Sequence, residues 1–162
     1  MNNNTHSFDE DISYRQSDVL KFWIELIRCS NMFEGIIDKK LRREYGQSIS
    51  RFDVLSQLER ELNSGLTVGE LGQKLIASKG NITGLVNRMI KDGLVTKTSK
   101  KDDRRCYQVN ISQQGLALFE KMAASHAKWL ADFFQPFDSK NMKEITNLLG
   151  NVRLSLTENI GT

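Results

Sequence analysis

The chain has 162 residues, of which 39% are hydrophobic and 27% charged, and its net charge is +3. This length supports one well-buried core, and the composition is typical of a globular protein. No apolar run reaches the roughly 18 residues that a membrane span needs, and no secretory signal is visible, so we expect a cytoplasmic protein without membrane contact.

The N-terminal part of the chain predicts a tail followed by one long helix. Residues 1–17 are mostly polar, and we expect them to form a flexible tail. Over residues 17–45, apolar side chains recur at helical spacing, which predicts a helix that ends at Gly46. A second helix is predicted to begin at Ser50, whose hydroxyl suits an N-cap.

The middle of the chain has the pattern of a helix-turn-helix. A third helix is predicted over residues 68–76, because Thr67 and Glu70 have the spacing of a capping box. Ser78 is predicted to cap a fourth helix that ends at residues 92–93. Two short helices joined by a tight turn form a helix-turn-helix. The apolar residues expected to hold the two helices together are Leu71, Leu75, Ile82 and Val86.

A basic hairpin is predicted to follow the fourth helix. The β-prone runs at residues 94–96 and 107–111 flank the polar segment 99–105, which we predict to be a loop. Residues 79–105 hold eight basic and three acidic side chains, a net charge of +5, whereas the rest of the chain carries −2. Positive charge focused on one segment is typical of a protein that binds a polyanion, with DNA as the first candidate. An ordinary solvated surface is the alternative.

Small, polar and cationic residues begin the fourth helix, as expected of a helix that enters a DNA groove. Gly80 and Gly84 argue against an ordinary surface helix, because each costs roughly 1 kcal/mol of helix propensity. In the hairpin, Asp103 is expected to orient a neighbouring arginine, and an arginine near the tip suits a minor groove. The predicted DNA-binding residues are Ser78, Lys79, Gly80, Asn81, Thr83, Arg88, Lys100, Lys101, Asp103, Arg104 and Arg105.

Two further helices are predicted in the C-terminal third of the chain. Ser112 suits an N-cap for a helix over residues 113–134, and Pro136 separates that helix from a last one over residues 139–157. The predicted fold class is mainly α with one β-hairpin, a winged helix-turn-helix. The first, fifth and sixth helices carry more apolar surface than a small winged domain buries, which favours a role in dimerisation.

The hairpin and the fourth helix also carry a family resemblance. Residues 103–105 (Asp-Arg-Arg), residues 109–112 (Val-Asn-Ile-Ser) and Gly115 resemble the wing signature of the MarR family of winged helix-turn-helix transcriptional regulators. Residues 84–95 resemble the recognition helix of that family and its entry into the first strand, and the resemblance extends over residues 19–156.

This chain departs from the family pattern at two places. Ile111 and Ser112 stand where the pattern has Leu-Thr, which keeps the helix cap, and Ile76 stands where a turn glycine is common. The resemblance assigns the minor-groove arginine to Arg105 and its partner to Asp103.

The resemblance implies a homodimeric repressor on a pseudo-palindromic operator of double-stranded DNA, with recognition helices in major grooves and wings in minor grooves. It also implies one MarR-like domain over residues 18–162. The winged helix-turn-helix lobe would occupy residues 50–111, and the dimerisation helices residues 18–46 and 113–162.

Members of this family commonly bind small anionic aromatic molecules, and the start of the fourth helix resembles members linked to aromatic-acid catabolism. We therefore expect release from the operator by a phenolic or hydroxycinnamate-type acid, or by its acyl thioester. The expected ligand-binding residues are Arg15, Phe22, Trp23, Arg28 and His126. For Phe22 and Trp23, packing in the core or in a dimer interface is the alternative.

Two other functions remain open, and one class is disfavoured. Cys29 lies on the first helix, where some family members sense oxidants, and Cys106 adjoins the wing. A winged helix that binds another protein is the second alternative. His6 and His126 offer no base beside a positioned nucleophile, and no metal-ligand or phosphate-binding motif occurs, so we expect no enzymatic activity, no metal and no cofactor.

Overall fold

A computed structural model describes residues 6–75, 81–100 and 103–160, with side chains at residues 17–75, 81–99 and 107–158. Within these ranges the chain forms six helices and one antiparallel hairpin, which confirms the mainly α fold class. The elements are α1 (His6–Tyr45), α2 (Ile49–Glu59), α3 (Val68–Lys74), α4 (Ile82–Lys91), β1 (Val95–Lys100), β2 (Asp103–Ile111), α5 (Gln113–Phe134) and α6 (Ser139–Ile160). None of these helices combines the length and apolarity needed to cross a membrane.

The chain divides into two compact units, and the boundary falls inside α5, between Met122 and Ala123. The first unit contains α1 to α4, the hairpin and the start of α5. The second contains the rest of α5 and all of α6. The candidate interface described below lies entirely in the first unit.

The first helix is longer than its sequence pattern predicts. α1 has 40 residues and begins at His6, so the flexible tail predicted over residues 1–17 is wrong for residues 6–16. No proline or glycine occurs in residues 6–16, so the sequence there contains no residue that would interrupt a helix. The helix ends as predicted, because Gly46 adopts φ +67°.

The second helix begins at Ile49, and its N-cap is Ser48. The Ser48 hydroxyl accepts a hydrogen bond from the Arg51 N–H at 3.4 Å, while the Ile49 N–H donates to the Asp38 carboxylate of α1 at 2.8 Å. The predicted cap at Ser50 is therefore wrong, because Ser48 is the N-cap and, with Asp38, accepts two of the free N–H groups of the first turn.

The third helix begins as predicted and ends earlier. The Thr67 N–H donates to the Glu70 carboxylate at 2.7 Å and the Glu70 N–H donates to the Thr67 hydroxyl at 3.2 Å, so the capping box is confirmed. The helix stops at Lys74, because Leu75 has an extended backbone with ψ 130°. Ile76 lies outside the described residues.

The core of the first unit contains side chains from α1, α2, α3 and α4 and from the base of the hairpin. Of the four residues predicted to hold α3 against α4, Leu71, Leu75 and Val86 are buried and Ile82 is half-buried, which confirms the predicted packing. Side chains that are fully buried elsewhere in this core include Leu41, Val54, Leu55, Leu58, Met89, Val95 and Val109.

The hairpin strands are longer than predicted. β1 and β2 pair in antiparallel register from Val95 opposite Ile111 to Ser99 opposite Tyr107, and Lys100 then pairs with Asp103. The loop predicted over residues 99–105 is therefore wrong, since only residues 101–102 separate the strands. Val95, Thr96 and Thr98 in β1 give it the β propensity that continues the ladder.

A third segment joins the sheet by one isolated bridge. The Leu66 N–H donates to the Val109 carbonyl at 3.0 Å, and the Val109 N–H donates to the Leu66 carbonyl at 2.8 Å. Gly65, just before the bridge, has φ +63°, and a Cβ there would meet the Val109 carbonyl oxygen at 2.8 Å. This bridge ties the start of α3 to the wing.

The fifth helix has the predicted bounds and the predicted cap. The Ser112 hydroxyl accepts a hydrogen bond from the Gly115 N–H at 2.9 Å and donates to the Gly93 carbonyl at 2.6 Å. A Cβ on Gly115 would overlap the Leu94 carbonyl oxygen, so this position requires glycine. In the second unit, Asp138 caps α6 by accepting the Asn141 N–H at 2.7 Å.

Candidate nucleic-acid interface

The N-terminal end of α4 differs from its prediction. Helix α4 begins at Ile82, and the Asn81 side chain caps it by accepting a hydrogen bond from the Gly84 N–H at 2.8 Å. The predicted cap at Ser78 is therefore wrong, because Asn81 performs that role three residues later. The predicted DNA contacts Ser78, Lys79 and Gly80 lie outside the described residues.

The cap also explains the glycine at position 84. A Cβ on Gly84 would lie between 2.9 and 3.1 Å from the side-chain atoms of Asn81, closer than such contacts normally are. Glycine at position 84 leaves room for the Asn81 cap, and the cap offsets part of the helix propensity that the glycine loses. From the sequence alone, close approach of DNA was the expected reason for this glycine.

Helix α4 has one buried and one exposed face. Leu85, Val86 and Met89 are buried in the first unit. The exposed side carries a set that we call the polar face of α4: Thr83, Asn87, Arg88 and Lys91. Arg88 and Lys91 form no ion pair among the described residues, so their charges are available to an external partner.

Two residues of the polar face were missed by sequence reasoning. Thr83 and Arg88 were predicted contacts and are exposed, but Asn87 and Lys91 were not chosen. A signal for both was present, because Thr83, Asn87 and Lys91 follow one another at spacings of four residues and so share one side of a helix.

The C-terminal end of α4 is tied to α2. Asp92 is the C-cap residue of α4, and Gly93 follows it with φ +72°. The Arg51 guanidinium donates to the Asp92 carboxylate and also donates to Gln47 Oε1 at 2.9 Å. Asp92, the negative charge next to the polar face, is thereby paired.

The base of the wing is held in register by side chains on both faces of the hairpin. The Lys97 ammonium lies 4.1 Å from the centroid of the Tyr107 ring. On the other face, the Asn110 amide donates to the Thr98 hydroxyl at 3.0 Å. Cross-strand pairs of this kind stabilise a two-stranded ribbon, which alone is marginally stable in water.

The predicted wing residues lie at the irregular end of the hairpin. Lys100, Asp103, Arg104 and Arg105 belong to the strands, and the register shifts between Ser99 and Lys100. Their side chains, and the whole of Lys101, lie outside the described residues. The roles of Arg105 as a groove reader and of Asp103 as its orienter stay predictions.

The predicted ligand residues on α1 are exposed. Phe22 and Trp23 are 49% and 55% exposed, and Arg28 donates to Glu25 of the same helix at 2.9 Å. The side chain of Arg15 lies outside the described residues. A groove of about 380 Å³ between α1 and α2 has a different lining, formed by Asn31, Glu34, Gly35, Asp38, Arg42, Ile49 and Ser50.

The remaining candidates for signal sensing are His126 and Cys29. His126 lies in the second unit and is half-buried, and burial lowers the pKa of its imidazole below the usual value. A histidine that is neutral at neutral pH offers a ligand a hydrogen bond rather than a positive charge. Cys29 is exposed on α1. The ligand site and the redox site stay predictions.

Helices α3 and α4 together with the hairpin define a winged helix-turn-helix, whose wing follows directly on its second helix. A family model described as the MarR family matches residues 45–105, from the end of α1 into β2. A MarR family transcriptional regulator of known structure from Silicibacter pomeroyi is 30% identical, with a TM-score of 0.77 over 88% of this chain and 97% of that chain. The chain belongs to the MarR family.

Two other similarities concern named regulators. The transcriptional activatory protein BadR of Rhodopseudomonas palustris is 27% identical over 139 residues, which are 82% of this chain and 79% of that protein. The S. aureus MepR–DNA complex shares the fold, with a TM-score of 0.73 at 15% identity over 83% of this chain and 97% of that chain.

Proposed function

We propose that this protein is a homodimeric, sequence-specific DNA-binding transcriptional regulator. The observation that carries the proposal is the polar face of α4. Its cations have no ion-pair partner among the described residues, while the opposite side of the helix is buried. An exposed helix with amide, hydroxyl and cationic side chains matches the donors and acceptors of a major groove and its phosphates.

The wing supports the same role. It continues from α4 through Gly93, and its distal end carries Lys100, Lys101, Arg104 and Arg105 in the sequence. Basic side chains beside a groove-reading helix suit the narrow minor groove next to it, where the potential is most negative. The MepR–DNA complex is a precedent for DNA binding by this fold.

Exposed apolar side chains support the dimer. On α1, Val19 and Leu20 are exposed, and on α6 so are Leu148 and Leu154. Burial of such side chains in an interface is favourable, at roughly 25 cal/mol per Å² of apolar surface removed from water. A two-fold dimer would carry two α4 helices, one for each half-site of a pseudo-palindromic operator.

For the signal, we propose a small anionic aromatic molecule, a phenolic or hydroxycinnamate-type acid or its thioester, that releases a repressor from DNA. The exposed aromatic side chains of Phe22 and Trp23 support such a ligand. To bind its carboxylate, Arg28 would exchange its exposed ion pair with Glu25 for the ligand. The relative BadR is named an activator, so the direction of regulation needs its own test in a reporter strain. Action on DNA makes the cytoplasm the expected location.

Selection from a random pool of DNA duplexes tests the proposal. We expect the full chain to enrich a two-part, inverted-repeat sequence, because a two-fold dimer reads two related half-sites. Enrichment of a single half-site without its inverted repeat would contradict the dimer. Failure to enrich any duplex would favour the protein-interaction alternative.

A thermal-shift screen with aromatic acids and their thioesters tests the proposed ligand. Redox control would be favoured instead if peroxide treatment abolished DNA binding by the wild-type protein but not by Cys29→Ser.

A further inference from the structure

We propose that Arg51 is a positioning residue for DNA recognition. Its ion pair with Asp92 holds the C-terminal end of α4 against α2 and thereby sets the angle at which the polar face of α4 meets DNA. The inference rests on the proposed function, since it concerns how that helix is presented.

The place of Asp92 shows why the pair is needed. Asp92 is the C-cap of α4, and its N–H donates to the carbonyls of Arg88 and Ile90. The C-terminal end of a helix carries the negative end of the helix dipole, where cations are favoured and an aspartate is not. An aspartate here does not serve the helix itself, and the Arg51 guanidinium beside it offsets the unfavourable charge.

The guanidinium of Arg51 is held in place by its surroundings. The Arg51 side chain is only 17% exposed, and Gln47 accepts one of its N–H groups at 2.9 Å. Arg51 belongs to the first turn of α2, where the neighbouring Ile49 N–H donates to Asp38 of α1 at 2.8 Å. A chain of directed contacts therefore runs from α1 through the start of α2 to the end of α4.

Apolar packing alone leaves the angle of α4 less well defined. Leu85, Val86 and Met89 decide which side of the helix is buried, but apolar contacts are not directional. Helix α4 has 10 residues and is about 15 Å long, so a small tilt at its last turn moves Arg88 and Lys91. The ion pair lies next to these two residues and fixes the last turn.

Two variants, each with one charged side chain replaced by an uncharged amide, distinguish a positioning role from a general electrostatic effect on DNA binding. Arg51→Gln removes one positive charge and Asp92→Asn removes one negative charge, so bulk electrostatics weakens DNA binding in the first and strengthens it in the second. Positioning predicts a loss in both. The probes are a duplex selected by the wild-type protein and a scrambled duplex of equal composition.

We expect each variant to bind the selected duplex about five- to tenfold more weakly and to discriminate less well against the scrambled one. The double variant is expected to be no weaker than the weaker single variant, because both changes break one interaction. The reversed pair Arg51→Asp with Asp92→Arg should recover part of the loss. Asp18→Asn, which breaks the exposed pair with Lys21 on α1, is the matched control and should leave discrimination unchanged.

Asp92→Asn decides the proposal even if Arg51→Gln fails to fold, since half of the Asp92 side chain is exposed. Binding of the selected duplex by Asp92→Asn that equals or exceeds wild-type binding would overturn the positioning role while leaving the regulator proposal standing. A wild-type protein that selects no duplex would instead overturn the regulator proposal, and this inference with it.

Discussion

The Asn81 side-chain oxygen accepts the Gly84 N–H at 2.8 Å, so a residue predicted to read DNA closes the first turn of the recognition helix. One amide oxygen cannot cap a helix and also accept a bond from a base with full strength. The polar face of α4, which begins at Thr83 and continues through Asn87, Arg88 and Lys91, has side chains that the cap does not engage and is the better candidate for contacting DNA.

Replacement of Asn81 separates capping from base reading. Asn81→Ala is expected to lower the free energy of unfolding by about 1 kcal/mol, because one N–H of the first turn loses its acceptor. Asn81→Ser keeps a capping oxygen and should restore most of that stability in urea unfolding. If Asn81 reads bases, Asn81→Ser will lose operator affinity although it is stable, and the capping interpretation will be incomplete.

Gly115→Ala is expected to destabilise the protein strongly, because the new methyl group would overlap the Leu94 carbonyl oxygen at the junction of the wing and α5. Overpacking against backbone costs about 3 kcal/mol, measurable as a lower midpoint of urea unfolding. Gly35→Ala is the matched control within a helix, since a Cβ there meets nothing within 4 Å. The control should gain up to about 1 kcal/mol from helix propensity. Equal stability of both variants would show that the backbone at this junction can shift to accommodate the methyl group.

Asp38 should make folding sensitive to acid. Burial alone raises the pKa of Asp38, but hydrogen bonds from Arg42 and from the Ile49 N–H outweigh that effect and hold the pKa below its usual value. A carboxyl whose pKa is lowered in the folded state stabilises the fold above its unfolded pKa and loses that contribution as the pH falls through the folded pKa.

The measurement is urea unfolding from neutral to acid pH. Asp38→Asn should be less stable than wild type at neutral pH by about 1 kcal/mol, and the difference should shrink in acid. Asp18→Asn, on the exposed side of the same helix, provides the control for a general loss of charge. A constant gap between Asp38→Asn and wild type at every pH would rule out the ionised carboxylate as the cause.

A charged side chain on α6 should dissociate the dimer. Leu148→Lys places an ammonium at a position that is 59% exposed in one chain and that the proposed dimer buries. Analytical ultracentrifugation should then show a monomer at concentrations where wild type is dimeric. Leu62→Lys is the matched control, because Leu62 is 53% exposed after α2 and belongs to neither α1 nor α6. Loss of the dimer in both variants, or in neither, would argue against α6 as the interface.

Local signals in the sequence predicted the elements that depend on neighbouring residues. The capping box of Thr67 and Glu70, the Ser112 cap and the bounds of α5 all follow from side chains within a few positions of one another. The resemblance to the MarR family was also confirmed, and the motif residues that carry it all lie close together in the sequence, within residues 84–115.

Contacts between distant segments decided the features that the sequence did not reveal. Ser48 rather than Ser50 caps α2, with Asp38 of α1 supporting the same turn. The bridge between Leu66 and Val109 and the ion pair between Arg51 and Asp92 each join residues about 40 positions apart. No local spacing marks such pairs, so the tie behind the recognition helix became visible only in the fold.

The salt dependence of binding to a selected duplex tests most directly whether the polar face of α4 contacts DNA. If Arg88 and Lys91 of both protomers neutralise four phosphates, a plot of the logarithm of the association constant against the logarithm of salt concentration should have a slope of about −3.6 or steeper. Arg88→Gln should make that slope shallower by about one to two and leave the dimer intact. A slope near zero, or an unchanged slope in Arg88→Gln, would contradict recognition through this face.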